Sequence, residues 1–398
     1  MPLLSGNRPL LQGRVANAIL SISCGLILCG ILIAGLSPFT PHPRNDVNWL
    51  KNQDGLHFGE YASILSSAPF GLEGAPDGPC SIELWMQPGV IQDSNTMLAF
   101  DSPSESGRFR VKQSLDDLAL ARKSISPNSR IEQVIYVPHA FRQDMPLFIT
   151  LTSGRAGLSI YLDGVLVRSS SDFRLLRRDL SGQMVVGNSP FANDSWSGVL
   201  RGIGLYNQEL SAEEVRQNYA AWMASGHPTA IAEKQATAVF SFDERTGTVI
   251  HDQVPGGIDL YIPDYYLVLH PRFLETLWRP MDWGWGFWKD TLTNVGGFVP
   301  LGFFFCMYFC RSIASTRAIL LTIVFGFAVS FLIEGTQYYL PTRDSDSWDL
   351  LNDTLGTILG ALMCRFGFVQ RILAAFGIVL LEKSHAEPAP DAALPKAS

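Results

Sequence analysis

Seven side chains between positions 290 and 353 are of the types and at the spacings that could do chemistry: Asp290, Asn294, Glu334, Gln337, Arg343, Asp349 and Asp353. Asp290 and Asn294 stand four apart, Glu334 and Gln337 three, and Asp349 and Asp353 four, so each pair shares one face of a helix. Most of their surroundings are apolar, since residues 291–340 carry only Arg311, Arg317 and Glu334 as charges. An ionisable group in such a setting needs a partner or a purpose. Two roles fit. In the first, the set is a hydrogen-bond and ion-pair network that fixes helix register, with Arg343 bridging Glu334 and Asp349 while Asn294 and Gln337 complete the bonds. In the second, it is a site open to one leaflet, where Arg343 holds an anionic or amidic headgroup and Glu334 or Asp353 exchanges a proton. A Ser-His-Asp arrangement has no support. The hydroxyls of Thr336, Thr342, Ser345, Ser347 and Thr354 have no histidine beside them, and of the seven histidines all but His385 lie within 42–270.

The elements that must position these groups follow from hydropathy. Of 398 residues, 47% are hydrophobic and 17% charged, and the two populations are segregated. Residues 15–38 are uncharged, long enough at 1.5 Å per residue to cross a hydrocarbon layer of ~30 Å, and longer than the core of a cleaved signal peptide. They read as a retained transmembrane helix behind a cytoplasmic segment at 1–14. Three further spans are expected at about 291–310, 318–340 and 350–368, then an interfacial helix at 369–381 and a disordered tail at 382–398. Arg8, Arg14, Arg311, Arg317, Arg365, Arg371 and Lys383 fall on one side of these spans. The positive-inside rule makes that side cytoplasmic, with both termini inside and residues 39–290 outside. The loop 341–349 sets Arg343 against Asp344, Asp346 and Asp349, which suits the outer side. Every polar group named above then lies in the outer half of the membrane. Pro300 should bend its helix. Gly356 and Gly360 continue the Asp349–Asp353 edge as a seam for close helix contact.

The expected fold class is an α+β multi-domain membrane protein, a four-helix transmembrane bundle plus an extracytoplasmic antiparallel β-sandwich of jelly-roll type. Between 56 and 219 the sequence alternates with a period of two, as in Ser81-Ile82-Glu83-Leu84-Trp85-Met86 and in Leu158–Leu162 followed by Asp163-Gly164. One helical signal interrupts it, Ser211 with Glu214 three residues on, a capping box. Trp196 and Asp194, in a polar turn-like run, are the candidate ligand-binding residues of the sandwich, whereas Trp85 and Tyr206 suit its core. No cofactor is implied, although Asp101, Asp163 or Asp194 could offer oxygen to calcium. A net charge of −7 without a basic stripe excludes nucleic acid as a partner. Of six cysteines only Cys80 falls in the insert, and the others read as small apolar residues of the helices.

Three separate elements carry a first resemblance: Ser81-Ile82-Glu83-Leu84-Trp85-Met86-Gln87-Pro88, then Ile160-Tyr161-Leu162-Asp163-Gly164, then Gly198 to Asn207 with Leu210-Ser211-Ala212-Glu213-Glu214-Val215. In order and spacing they resemble the concanavalin A-like lectin/glucanase (laminin G-like) superfamily. Phe242-Asp243-Glu244-Arg245-Thr246-Gly247, a string such domains often have at their start, here follows the sandwich and is expected to close a domain spanning 45–265. Glucanases of that superfamily set carboxylates at alternate positions of one strand, because retaining glycosidases need two of them ~5 Å apart. Here Glu83 is followed at those positions by Trp85 and Gln87, so binding is expected rather than catalysis.

A second resemblance rests on Asp290-x-x-x-Asn294, Phe298-Val299-Pro300-Leu301-Gly302, Glu334-x-x-Gln337, Arg343, Asp349 and Thr354-Leu355-Gly356 with Gly360. Over 282–368 this is similar to the VanZ-like family, named for an accessory protein of glycopeptide resistance, with the sandwich inserted in its first outer loop. The chain departs from the pattern at Asp353, where the family usually has Asn; Asn352 is adjacent. The resemblance implies a multi-pass protein of the bacterial plasma (inner) membrane in contact with lipid, recognising an envelope glycan or glycopeptide and linked to glycopeptide antibiotic resistance. An intramembrane enzyme or transporter for a lipid-linked amphiphile, and an adhesion or scaffold protein, are the alternatives.

Overall fold

Strands and helices segregate in the computed structural model as the hydropathy does. Residues 8–71, 74–102, 109–123, 132–229, 236–275, 277 and 285–366 are described. The expected interfacial helix at 369–381 and the tail at 382–398 lie outside them, as do residues 1–7 of the segment 1–14. The chain divides into two compact units. One is formed by helices, and the other comprises Thr40–Arg272 with Tyr338–Asp344.

The second unit holds two eight-stranded antiparallel sheets. The first runs β1 (Val47–Trp49), β2 (Leu56–Phe58), β13 (Gly198–Tyr206), β4 (Cys80–Pro88), β9 (Leu147–Gly154), β10 (Gly157–Leu162) and β11 (Val165–Ser170), with β14 (Ala236–Phe240) also on β13. The other runs β15 (Val249–Ile250), β16 (Leu260–Tyr261), β3 (Ile64–Ser66), β12 (Gln183–Val186), β5 (Ser94–Asp101), β6 (Phe109–Ser114), β7 (Asp117–Lys123) and β8 (Glu132–Val137). The period-two pattern explains the core: Ile82, Leu84, Ile149, Leu151, Ile160 and Ile203 from one sheet meet Leu98, Phe100, Phe109, Val111, Leu120 and Val186 from the other. Asp163 and Gly164 make the β10–β11 hairpin with φ of 49° and 76°, left-handed values that glycine adopts freely.

The outward side of the first sheet is buried as well. Phe148, Tyr161 and Tyr206, which alternate with core residues, pack against Val215 and Trp222 of α2 (Ala212–Ser225). The expected capping box starts this helix, with Ser211 N–H donating to Glu214 Oε2 at 2.7 Å and Glu214 N–H to Ser211 Oγ at 3.3 Å. Gly226, at φ 78°, ends it.

The helical unit contains α1 (Arg8–Leu36), α3 (Trp285–Cys310), α4 (Ser315–Gln337) and α5 (Ser347–Met363). Asn17–Leu36, Phe287–Cys310 and Ser315–Gln337 are long and apolar enough to cross a membrane. The fourth expected span differs. A helix of 17 residues replaces the run at 350–368, because the Asp346 carboxylate caps it early through Trp348 N–H at 2.9 Å and the chain turns after Met363. At 1.5 Å per residue it covers about 25 Å. The third span stops at Gln337 rather than 340.

Contact between α3 and α5 depends on the expected glycine seam. A Cβ on Gly356 would stand 2.2 Å from Val295 O, one on Gly360 2.1 Å from Val299 O, and one on Gly302 2.1 Å from Thr357 O. Glycine is thus the one residue that lets these two backbones touch. The other faces are apolar and exposed: Ile22 at 62%, Leu26 at 68%, Val324 at 63% and Leu332 at 65%. Water would not tolerate so much continuous apolar surface, whereas lipid would.

Candidate functional site

The face of α4 that turns inward bears Ser330, Glu334 and Gln337, at intervals of four and three. That of α5 bears Asn352, Asp353, Gly356 and Thr357. Glu334 is 1% exposed and Asp353 5%. The Asp346 backbone N–H donates to Glu334 Oε2 at 2.7 Å, just before α5 begins. Ser330 Oγ donates to Asp353 Oδ2 at 2.7 Å, and Asn294 Nδ2 on α3 donates to Asp349 Oδ1 at 2.6 Å. Gln337 Nε2 reaches Gly35 O on α1 at 2.7 Å. Asn294, Glu334, Gln337, Asp349 and Asp353 therefore tie four helices together through hydrogen bonds. Asp290 is exposed and stands apart from these bonds. Ser330 was missing from the set expected from sequence, although its spacing of four before Glu334 points to it.

Arg343 departs from expectation. It falls in the sandwich unit with Tyr338–Asp344, and its Nε is buried without a hydrogen-bond partner. Of the carboxylates expected to receive it, Glu334 accepts from the Asp346 backbone N–H and Asp349 from the Asn294 amide. The segment that carries Arg343 is firmly held. Asn193 N–H donates to Asp344 Oδ1 at 2.8 Å, Asn193 Nδ2 donates to Thr342 O at 3.2 Å, and Tyr266 OH donates to Asn193 Oδ1 at 2.8 Å. Asn193 and Tyr266 carry no signal in the sequence that would single them out.

In the sandwich, Trp196 is a core residue and not a stacking platform. It is 2% exposed, packs on Phe58 and donates its indole N–H to Gln113 Oε1 at 2.9 Å. The reason is local: its backbone N–H bonds Gly187 O, which turns the ring inward. Asp194 is structural, accepting from Thr96 Oγ1 and pairing with Lys112 Nζ at 3.2 Å. Asp101 pairs with His270 at 2.7 Å and Asp163 accepts from Phe148 N–H at 3.0 Å. The acids suggested for calcium are thus engaged separately. Among the described residues, the group with ligand atoms close enough for a metal is Asp116, Asp117 and His139. There His139 Nδ1 lies 2.6 Å from Asp116 Oδ2, and the His139 backbone N–H donates to Asp117 Oδ1 at 2.8 Å. That pairing lowers the Asp116 carboxyl and raises the His139 imidazole.

Glu83, the strand acid considered for catalysis, is fully buried under α2. It accepts from Tyr206 OH at 2.6 Å, Trp222 Nε1 at 2.8 Å and Asn218 Nδ2 at 3.0 Å. Burial raises its carboxyl above the ordinary range, and those three bonds oppose the rise.

Fold and site together define an antiparallel two-sheet β-sandwich carried on a chain with apolar helices. The concanavalin A-like lectin/glucanases superfamily matches residues 59–216, and the VanZ/LLP1 family matches residues 239–370. No curated protein matches the chain. Among solved structures, a candidate carbohydrate-binding protein from Bacteroides ovatus ATCC 8483 is 13% identical, with 56% of this chain and 59% of that one covered and a TM-score of 0.38. The ligand-binding domain of botulinum neurotoxin serotype D, in complex with N-acetylneuraminic acid, is 11% identical over 47% of this chain and 48% of that one, with a TM-score of 0.33. A heptameric SAP-like pentraxin from Limulus polyphemus is 12% identical over 51% of this chain and 96% of that one, with a TM-score of 0.31. The chain thus spans less than two thirds of the first two.

Proposed function

We propose that this chain is a multi-pass membrane protein whose β-sandwich recognises a glycan or glycopeptide of the cell envelope. In this reading α1, α3 and α4 are full spans and α5 a short fourth, both termini are cytoplasmic, and the sandwich lies outside. The observation that carries it is a sandwich region matching a lectin superfamily on one chain with three helices whose outward faces are apolar. The polar residues of the helices serve register: Asn294, Glu334, Gln337, Asp349 and Asp353 bond across four elements. The VanZ/LLP1 match lends the envelope setting and the link to glycopeptide resistance.

One observation favours a second reading, an intramembrane enzyme or transporter acting on a lipid-linked amphiphile. Asp353 Oδ1 is buried without a hydrogen-bond partner, which register alone does not need. A glycan array probed with the full chain in detergent micelles separates the two. Binding to an envelope glycan or peptidoglycan stem that survives Asp353→Asn supports recognition by the sandwich. Absence of binding to every envelope glycan sinks that reading.

A further inference from the structure

Charge compensation at arginine is well served in much of the sandwich unit. Arg122 pairs with Asp179 at 2.7 Å, Arg178 with Asp77 at 3.1 Å and Arg245 with Asp54 at 2.7 Å, while Arg177 donates to the carbonyls of Pro79 and Asn207. Arg343 is the contrast. Among the described residues no carboxylate forms an ion pair with it, and its Nε is enclosed without a hydrogen-bond partner, as that of Arg178 also is. Tyr61 lies close enough to feel its charge, and the Tyr61 ring packs on Tyr266, which is 1% exposed. Asp344, the neighbouring acid, already accepts from Asn193 N–H. Thr342, 5% exposed, shares a hydroxyl contact of 3.3 Å with Thr40. A cation that is half buried, held on a hydrogen-bonded segment and, among the described residues, in no ion pair with a carboxylate, even though Glu60 lies beside Tyr61, is an open anion seat.

Chain position supplies the ligand's class. Tyr338 is the first residue after α4 and Arg343 the sixth, so a chain leaving a span carries this guanidinium through the headgroup layer, where phosphate is the abundant anion. From these observations we propose that Arg343 binds the phosphate group of a lipid headgroup, and that Asn193 and Tyr266 position it by fixing residues 342–344. The proposal rests on reading α4 as a span. Alkaline carbonate extraction tests that separately: release of the chain from membranes overturns the span, and with it the lipid.

The direct test is binding of short-chain phosphatidylglycerol to the full chain in a neutral detergent, with inorganic phosphate and a short-chain diacylglycerol as the other arms. Wild type should bind phosphatidylglycerol, and Arg343→Gln should weaken it about tenfold, the effect of losing one charge-assisted contact. Arg343→Lys should fall between them, since an ammonium keeps the charge and loses the planar fork. Asn193→Ala should weaken binding with the charge intact. Equal affinity of Arg343→Gln and wild type overturns the proposal, and so does diacylglycerol binding as tightly as phosphatidylglycerol. Inorganic phosphate displacing the lipid at equal concentration assigns the seat to free phosphate and overturns the lipid. Should Arg343→Gln not fold, the comparison of Arg343→Lys with wild type decides: an unchanged affinity refutes the site.

Discussion

Removing the Glu83 carboxylate should loosen α2 from the sandwich, and the size of the effect can be worked out from its three donors. Tyr206 OH, Trp222 Nε1 and Asn218 Nδ2 all end on this one buried group at 2.6–3.0 Å. In Glu83→Ala each loses its acceptor, at about 1–3 kcal/mol for a buried unsatisfied donor, so roughly 3–9 kcal/mol in all. A domain's whole stability is about 5–15 kcal/mol, so this variant should unfold or fail to accumulate. Glu83→Gln is the sharper probe. Its carbonyl can serve two donors and the Tyr206 hydroxyl can rotate to accept, but one N–H must face the new amide NH2. The cost of about 1–3 kcal/mol corresponds to a Tm lower by about 2–12 °C for a unit of this size.

The same carboxyl sets a pH dependence with a definite sign. Burial raises its folded-state pKa above the ordinary value of 4.5, against the opposing bonds. The folded state therefore keeps a proton that the unfolded state releases. The contribution of Glu83 to stability is complete below that value and is lost as pH rises through the raised one. Thermal unfolding of the full chain in detergent, followed by tryptophan fluorescence, should show wild type losing Tm as pH rises above about 4.5 more steeply than Glu83→Gln. Equal Tm in the two proteins, or parallel pH profiles, would refute the reasoning.

Two further changes separate packing from binding. Gly360→Ala places a Cβ 2.1 Å from Val299 O and 2.7 Å from Phe303 N, so α3 and α5 must part; an overpacking loss of about 1–3 kcal/mol should appear as a lower Tm in detergent. Gly297→Ala, with nothing within 4 Å, should leave Tm unchanged or higher, and equal losses at both positions would remove the seam from the account. Trp196→Phe discards the indole bond to Gln113 and should lower Tm by about 2–6 °C while leaving glycan-array binding intact; a binding loss without a stability loss would return Trp196 to the ligand site.

Local regularities were readable in the residues themselves. Period-two alternation marked β4 and β10, Ser211 with Glu214 marked the start of α2, uncharged runs marked the three long helices, and Gly356 with Gly360 marked the α3–α5 seam. Each of these is written in spacing along the chain, and spacing fixes which face a side chain takes. Partners were another matter. Arg343 stands six residues beyond α4 and six before Asp349, a position that suits a bridge to Glu334 or Asp349, yet it belongs to the sandwich unit. Trp196 sits in a polar run and is nonetheless 2% exposed. Asn193 and Tyr266, 73 residues apart, meet through a single hydrogen bond. Pattern determines the face that a side chain presents, but the choice of which buried donor meets which buried acceptor depends on distances set once all the elements have packed, and tertiary structure alone decides it.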